Sequence, residues 1–153
     1  MDGHRKILIP TDLSPYADSG VVRGAEVAKS ERAKVLLVFV VEKTYFAPLS
    51  MLHQAPVTFR GEGDLLGEAV EYAEKKLREL KEKQFAGVDV ETKVVIAASA
   101  AAGILDAAES WHPDLIVIAS HGRNGVMHLL LGSTTEKVIR HATTEVLVVR
   151  AKE

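Results

Sequence analysis

Two short polar clusters hold the residue types that could do chemistry in this chain. The first is Pro10-Thr11-Asp12, directly after the apolar run Ile7-Leu8-Ile9. The second runs from Ala119 to Ser133 and carries Gly122, Gly125 and Gly132, with His121, Arg123 and His128 among them. Glycine lets a backbone amide be approached closely, and a helix start presents unpaired N–H groups to an anion. Gly122 and Gly132 fall where a strand pattern ends and a helix pattern begins, so their amides can meet a phosphate. A glycine-rich connection that only turns the chain has the same spacing. Asp12 can accept hydrogen bonds from sugar hydroxyls or a base amine; an aspartate there also bonds nearby amides ahead of a helix. Ser133 and Glu136 read as a capping box, yet the Ser133 hydroxyl and the Thr134 and Thr135 amides are also what a phosphate would meet. Arg123 would offset phosphate charge, and is equally well a solvated side chain.

Several other chemistries lack their residues. There is no Gly-x-x-x-x-Gly-Lys-Ser/Thr, no Gly-x-Gly-x-x-Gly after the first strand and no Gly-x-Ser-x-Gly. These absences argue against a P-loop, a dinucleotide fold and an α/β-hydrolase. There is no cysteine, hence no thiolate or disulfide chemistry. The histidines show no ligand spacing with carboxylates, which argues against a protein-built zinc site. A magnesium ion would arrive with a nucleotide, held by phosphates and water. The net charge of -2 gives no electrostatic footing for nucleic acid or an anionic membrane. No run approaches the roughly 18 apolar residues of a membrane span, and the N-terminus lacks a signal-peptide core. A cytoplasmic protein without membrane or nucleic-acid partners is expected. No paired acid and base converge, so binding is legible and catalysis is left open.

The elements that must position the two clusters alternate. At 153 residues with 47% apolar content the chain suits one domain, 1–153, with a real core. Bounded apolar runs at 6–9, 34–41, 114–119 and 145–150 suit strands buried on both faces, and 88–95 alternates like an edge strand. Ser14 as N-cap and Pro15 as first helical residue predict a helix to about Arg32. Further helices are predicted at 64–84, 98–111 and from Ser133 to about Ala142. The second carries Glu71–Lys75, Glu74–Arg78 and Glu79–Lys83 at favourable i,i+4 spacing. Residues 42–63 break all periodicity and read as a long loop or lid. Such alternation gives an α/β fold, a five-stranded parallel sheet with helices on both faces. In the order 3-2-1-4-5, the winding reverses between the first and fourth strands. Pro10-Thr11-Asp12 and Ala119–Gly122 then face each other across one crevice.

With these residues in place, the chain resembles the universal stress protein family over nearly its full length, from Ile7-Leu8-Ile9-Pro10-Thr11-Asp12 to Glu145-Val146-Leu147-Val148-Val149-Arg150. The family's ATP-binding branch has glycine, two residues, glycine, nine residues, then glycine with serine or threonine. That pattern falls on Ala119, Gly122, Gly132 and Ser133, with alanine in place of the first glycine. The resemblance implies the adenine nucleotide alpha hydrolase-like fold in the order 3-2-1-4-5, and a homodimer joined through the last strand, 145–150. It implies ATP, or AMP or ADP, with magnesium only through the phosphates. Base and ribose would lie near Pro10, Thr11, Asp12, the Val40 backbone and Ala119. Phosphates would lie near His121, Gly122, Arg123, Gly132, Ser133 and Thr134. The function implied is a nucleotide-dependent regulatory or protective module in stress; a slow ATP hydrolase and a nucleotide-free interaction protein are the alternatives.

Overall fold

The computed structural model describes residues 5–43, 62–122 and 131–151. The five strands are β1 (Lys6–Pro10), β2 (Lys34–Glu42), β3 (Asp89–Ala97), β4 (Leu115–Ala119) and β5 (Glu145–Val149). They form one parallel sheet, as the alternation predicts, in the order β3-β2-β1-β4-β5 that the resemblance implies. Among the described residues, four α-helices connect them: α1 (Asp18–Glu31), α2 (Glu62–Gln84), α3 (Ala100–Trp111) and α4 (Ser133–His141).

The apolar runs are continuous because each strand feeds two cores, alternate side chains pointing to opposite faces. Ile7 and Ile9 join Val35, Leu37 and Val117 beneath α1 and α2, where Val21, Ala25, Leu77 and Phe85 close the layer. Leu8 joins Leu36, Val38, Ile116 and Ile118 on the other face, beneath Ala101 and Ile104 of α3 and Val138 of α4. Helices thus cover both faces, and β1 and β4 are central.

Small residues let the helices press close. A Cβ built on Gly20 of α1 would lie 2.8 Å from the Ala119 backbone nitrogen, so this helix rests directly on the end of β4. Gly24 touches Ile9 in the same way, and Gly103 of α3 touches Val40. Ser14 is the N-cap and Pro15 follows it, as expected, although the first turn is a 3-10 turn (Pro15–Ala17) before α1 begins. The Ser99 hydroxyl caps α3 by accepting from the Ala102 amide at 3.1 Å. On α2 Lys76 pairs with Glu79 at 3.3 Å, an i,i+3 pair outside the three i,i+4 pairs expected.

Candidate functional site

The carboxyl ends of β1 and β4 open into a crevice of about 510 Å³. It lies where the winding direction reverses, the usual ligand position in open α/β sheets. Its two ends differ in chemistry. One is walled by Val38, Val40 and Glu42 of β2, Ala69 and Tyr72 of α2, and Ile104 of α3. The other holds Asp12, Ser14, His121, Gly122, Ser133 and Thr134. The first end suits a flat, mainly apolar group; the second suits hydroxyls and an anion.

Pro10, Thr11 and Asp12 line the crevice from the end of β1. The Thr11 amide donates to Val38 O at 2.9 Å, extending the sheet pairing by one residue. The Thr11 hydroxyl accepts from the Leu13 amide at 3.0 Å, and Leu13 takes a left-handed φ of 64°. Asp12 Oδ1 accepts from the Ser14 amide at 2.9 Å and from the Ser14 hydroxyl at 2.5 Å. The local turn-making role of Asp12 is therefore realised. It leaves the carboxylate lining the crevice.

Across the crevice, Gly122 stands against that carboxylate. A Cβ there would lie 2.5 Å from Asp12 Oδ2 and 3.4 Å from its Cγ. Gly122 thus earns its place by close approach, bringing the two polar clusters into contact. Ala119, where a glycine would fit the pattern, lies within β4 and is not among the described residues of positive φ. Its methyl therefore needs no special backbone. Its carbonyl accepts from the Thr135 hydroxyl at 2.8 Å, which fastens α4 to the end of β4.

Ser120 ties the crevice together. Its amide donates to Val149 O at 2.7 Å, and its carbonyl accepts from the Gly132 amide at 2.7 Å. Its hydroxyl accepts from the Ala151 amide at 2.9 Å and contacts His121 Nδ1 at 3.0 Å. The Gly132 amide is consequently turned to Ser120. A Cβ on Gly132 would meet Ser120 O at 3.2 Å, so the residue is small to let α4 start this close. The expected capping box does not form. Gly132 itself is the N-cap, with no side-chain cap, and Ser133 is the first helical residue with an exposed side chain. The amides of Ser133, Thr134 and Thr135 then open the helix with no preceding carbonyl in helical register. Their partial positive charge is augmented by the helix dipole.

His121 is 5% exposed and lines the crevice. Its Nε2 is buried with no hydrogen-bond partner. A buried donor or acceptor left so costs about 1–3 kcal/mol. Among the described residues no three His, Cys, Asp or Glu side chains cluster to hold a metal ion.

Of the residues singled out in the sequence, Pro10, Thr11, Asp12 and Val40 meet Ala119, His121, Gly122, Gly132, Ser133 and Thr134 around one crevice. Arg123 and the segment 44–61 lie outside the described residues. Thr135, whose amide the sequence also placed near a phosphate, lines the crevice too; sequence reasoning missed Glu42, Tyr72, Ala100 and Ile104 as lining residues. Only Tyr72 carried a signal, as an aromatic side chain off the apolar stripe of α2; it is 61% exposed.

The chain and its fold are similar to known proteins. Universal stress protein A homolog 2 of Coxiella burnetii is 33% identical over 155 residues, covering 99% of each chain. The solved structure of MJ0577 from Methanocaldococcus jannaschii superposes with a TM-score of 0.82 at 27% identity over 98% of each chain. Two more distant structures share the fold. One is a universal stress protein in complex with cAMP, with a TM-score of 0.68, 22% identity and coverage of 99% of this chain and 100% of that one. The other, from Archaeoglobus fulgidus, is in complex with dAMP, with a TM-score of 0.56, 17% identity and coverage of 97% and 99%. The family model for the universal stress protein family matches residues 3–150, and the chain belongs to that family.

Proposed function

We propose that the chain binds an adenine nucleotide, ATP foremost, in the crevice between β1 and β4, and acts as a nucleotide-dependent regulatory or protective module in the cytoplasm. The observation that carries this reading is the division of the crevice. An apolar slot under Val40 and Ile104 continues into a polar end where Asp12, Gly122 and the first turn of α4 converge. A purine fits the slot, with the Val40 backbone at its edge. Asp12, which lines the crevice at the end of β1, accepts from ribose hydroxyls. The amides of Ser133 and Thr134 take the phosphates, and Arg123 adds charge. Magnesium would come with the phosphates, since no carboxylate cluster among the described residues holds it.

Relatives of the same fold in complex with cAMP and dAMP support an adenine ligand. Strand β5 is an edge of the sheet, and its four apolar residues are only half-buried. A second copy would cover them, so the module acts as a homodimer.

Isothermal titration calorimetry with ATP, ADP, AMP and GTP, each with and without magnesium, tests the reading. ATP should bind with magnesium, more tightly than GTP. No heat and no thermal shift with any nucleotide would refute it and leave a nucleotide-free interaction module.

A further inference from the structure

We propose that His121 is a ligand-contacting hydrogen-bond donor of the phosphate end, and that Ser120 is the positioning residue that fixes its tautomer. The proposal deepens the nucleotide reading and rests on it. Two independent features meet at one place. The first is the start of α4, a nine-residue helix whose leading amides have no helical acceptor. The second is the buried imidazole nitrogen Nε2, which has no hydrogen-bond partner among the described residues.

The tautomer follows from the bonds around Ser120. Its hydroxyl oxygen already accepts from the Ala151 amide at 2.9 Å. The remaining hydroxyl contact is His121 Nδ1 at 3.0 Å. Among the described residues, Nδ1 is the neighbour placed to accept the serine hydrogen. Ser120 therefore donates to Nδ1, and the ring proton of the neutral imidazole lies on Nε2. The orphaned atom is then a donor, and an anionic oxygen is its natural complement. Its position agrees. The Cδ2 edge of the ring, bonded to Nε2, lies towards Gly132, where a built Cβ would come within 3.9 Å of Cδ2. Gly132 is the N-cap of α4, so the donor flanks the same cradle as the Ser133 and Thr134 amides. Nε2 is sealed from water, so a phosphate oxygen reaches it only as the ring and its neighbours part slightly. The hydrogen bond is thereby made in a dry setting, where it is stronger than at the surface.

Substitutions that keep or lose the nitrogen position test this. A glutamine amide nitrogen reaches roughly where Nε2 lies, whereas an asparagine nitrogen falls near Nδ1. Calorimetry on the full chain with ATP and with adenosine should show H121Q within about threefold of wild type for ATP, and H121N weaker by about tenfold. S120A, which frees the tautomer, should fall between them. Adenosine should bind all of them alike, because it lacks the phosphate. Nitrogen-15 spectra should show the His121 ring protonated on Nε2 in the free protein, and a mixture of tautomers in S120A. Thermal melts confirm that each variant is folded. Equal ATP affinity in H121N and H121Q, equal losses for adenosine and ATP, or a free-protein proton on Nδ1 would each overturn the proposal. If wild type binds neither nucleoside nor nucleotide, the nucleotide reading falls by itself. Titration with inorganic triphosphate then still decides the donor: a shifted Nε2 signal supports it and an unmoved one refutes it.

Discussion

Replacing Gly122 by alanine adds one methyl group at the point where the two polar clusters touch. Gly122 is not among the described residues of positive φ, so alanine meets no backbone penalty there. The cost is steric alone. The new Cβ would stand 2.5 Å from Asp12 Oδ2, where side-chain contacts do not fall below 3.0 Å. The two must part by about 0.5 Å, a displacement on the scale of core overpacking. Asp12 is not free to swing, because Oδ1 holds both the amide and the hydroxyl of Ser14. Hydrogen bonds to a charged group contribute about 1.5–3 kcal/mol each, and part of that is lost as the carboxylate turns. G122A should therefore destabilise the fold by about 2 kcal/mol in urea denaturation, with the denaturant slope unchanged. The decisive assay is a double-mutant cycle with D12A. Alanine at 12 removes the obstructing oxygen, so G122A should cost little in that background. The same loss in both backgrounds would show that the methyl clashes elsewhere. No loss in wild type would show that the crevice walls are not held against one another.

Two further perturbations probe how the crevice is held. T135V removes the hydroxyl that donates to Ala119 O from a side chain only 3% exposed. It should destabilise by about 1–2 kcal/mol in urea denaturation, and a neutral outcome would mean that α4 is fastened otherwise. Glu91, 3.1 Å from Lys34 on the neighbouring strand, raises the lysine above its ordinary 10.5, first by hydrogen bonding and then by charge. A raised folded value means that this contribution is complete below the unfolded pKa and disappears as pH climbs through the folded one, above 10.5. In E91Q the Lys34 side-chain carbon resonances should titrate at lower pH than in wild type, and an unmoved curve would discount the pair.

The fold was legible because its strands are bounded apolar runs and its helices carry clear starts. Ile7-Leu8-Ile9 suits a strand buried on both faces, and Ser14-Pro15 suits a helix start. The alternation led to a parallel sheet; its order, and with it the meeting of Asp12 and Gly122, came from the family resemblance. What stayed illegible was the use of individual polar groups. Ser133 and Glu136 fit a capping box by spacing, yet Gly132 takes the N-cap, because its amide is drawn to Ser120 O at 2.7 Å. Spacing reports local preference, and this bond is a tertiary contact. Likewise no pattern marks Glu42 or Ile104 as crevice walls, since two separate elements bring them there. Glycine is a weak helix former, and at Gly20 and Gly103 the Ala119 backbone and the Val40 side chain lying against them explain the choice.

The bond from the Gly132 amide to Ser120 O also bears on how such a chain can diversify. It fastens the start of α4 to the end of β4, while the Ser120 amide and hydroxyl hold Val149 and Ala151 at the end of β5. One residue is thus a common anchor for three elements. A substitution that displaces the Ser120 backbone should therefore move the entry of α4 and the exit of β5 together, and families of this fold can vary elsewhere more freely than at this junction.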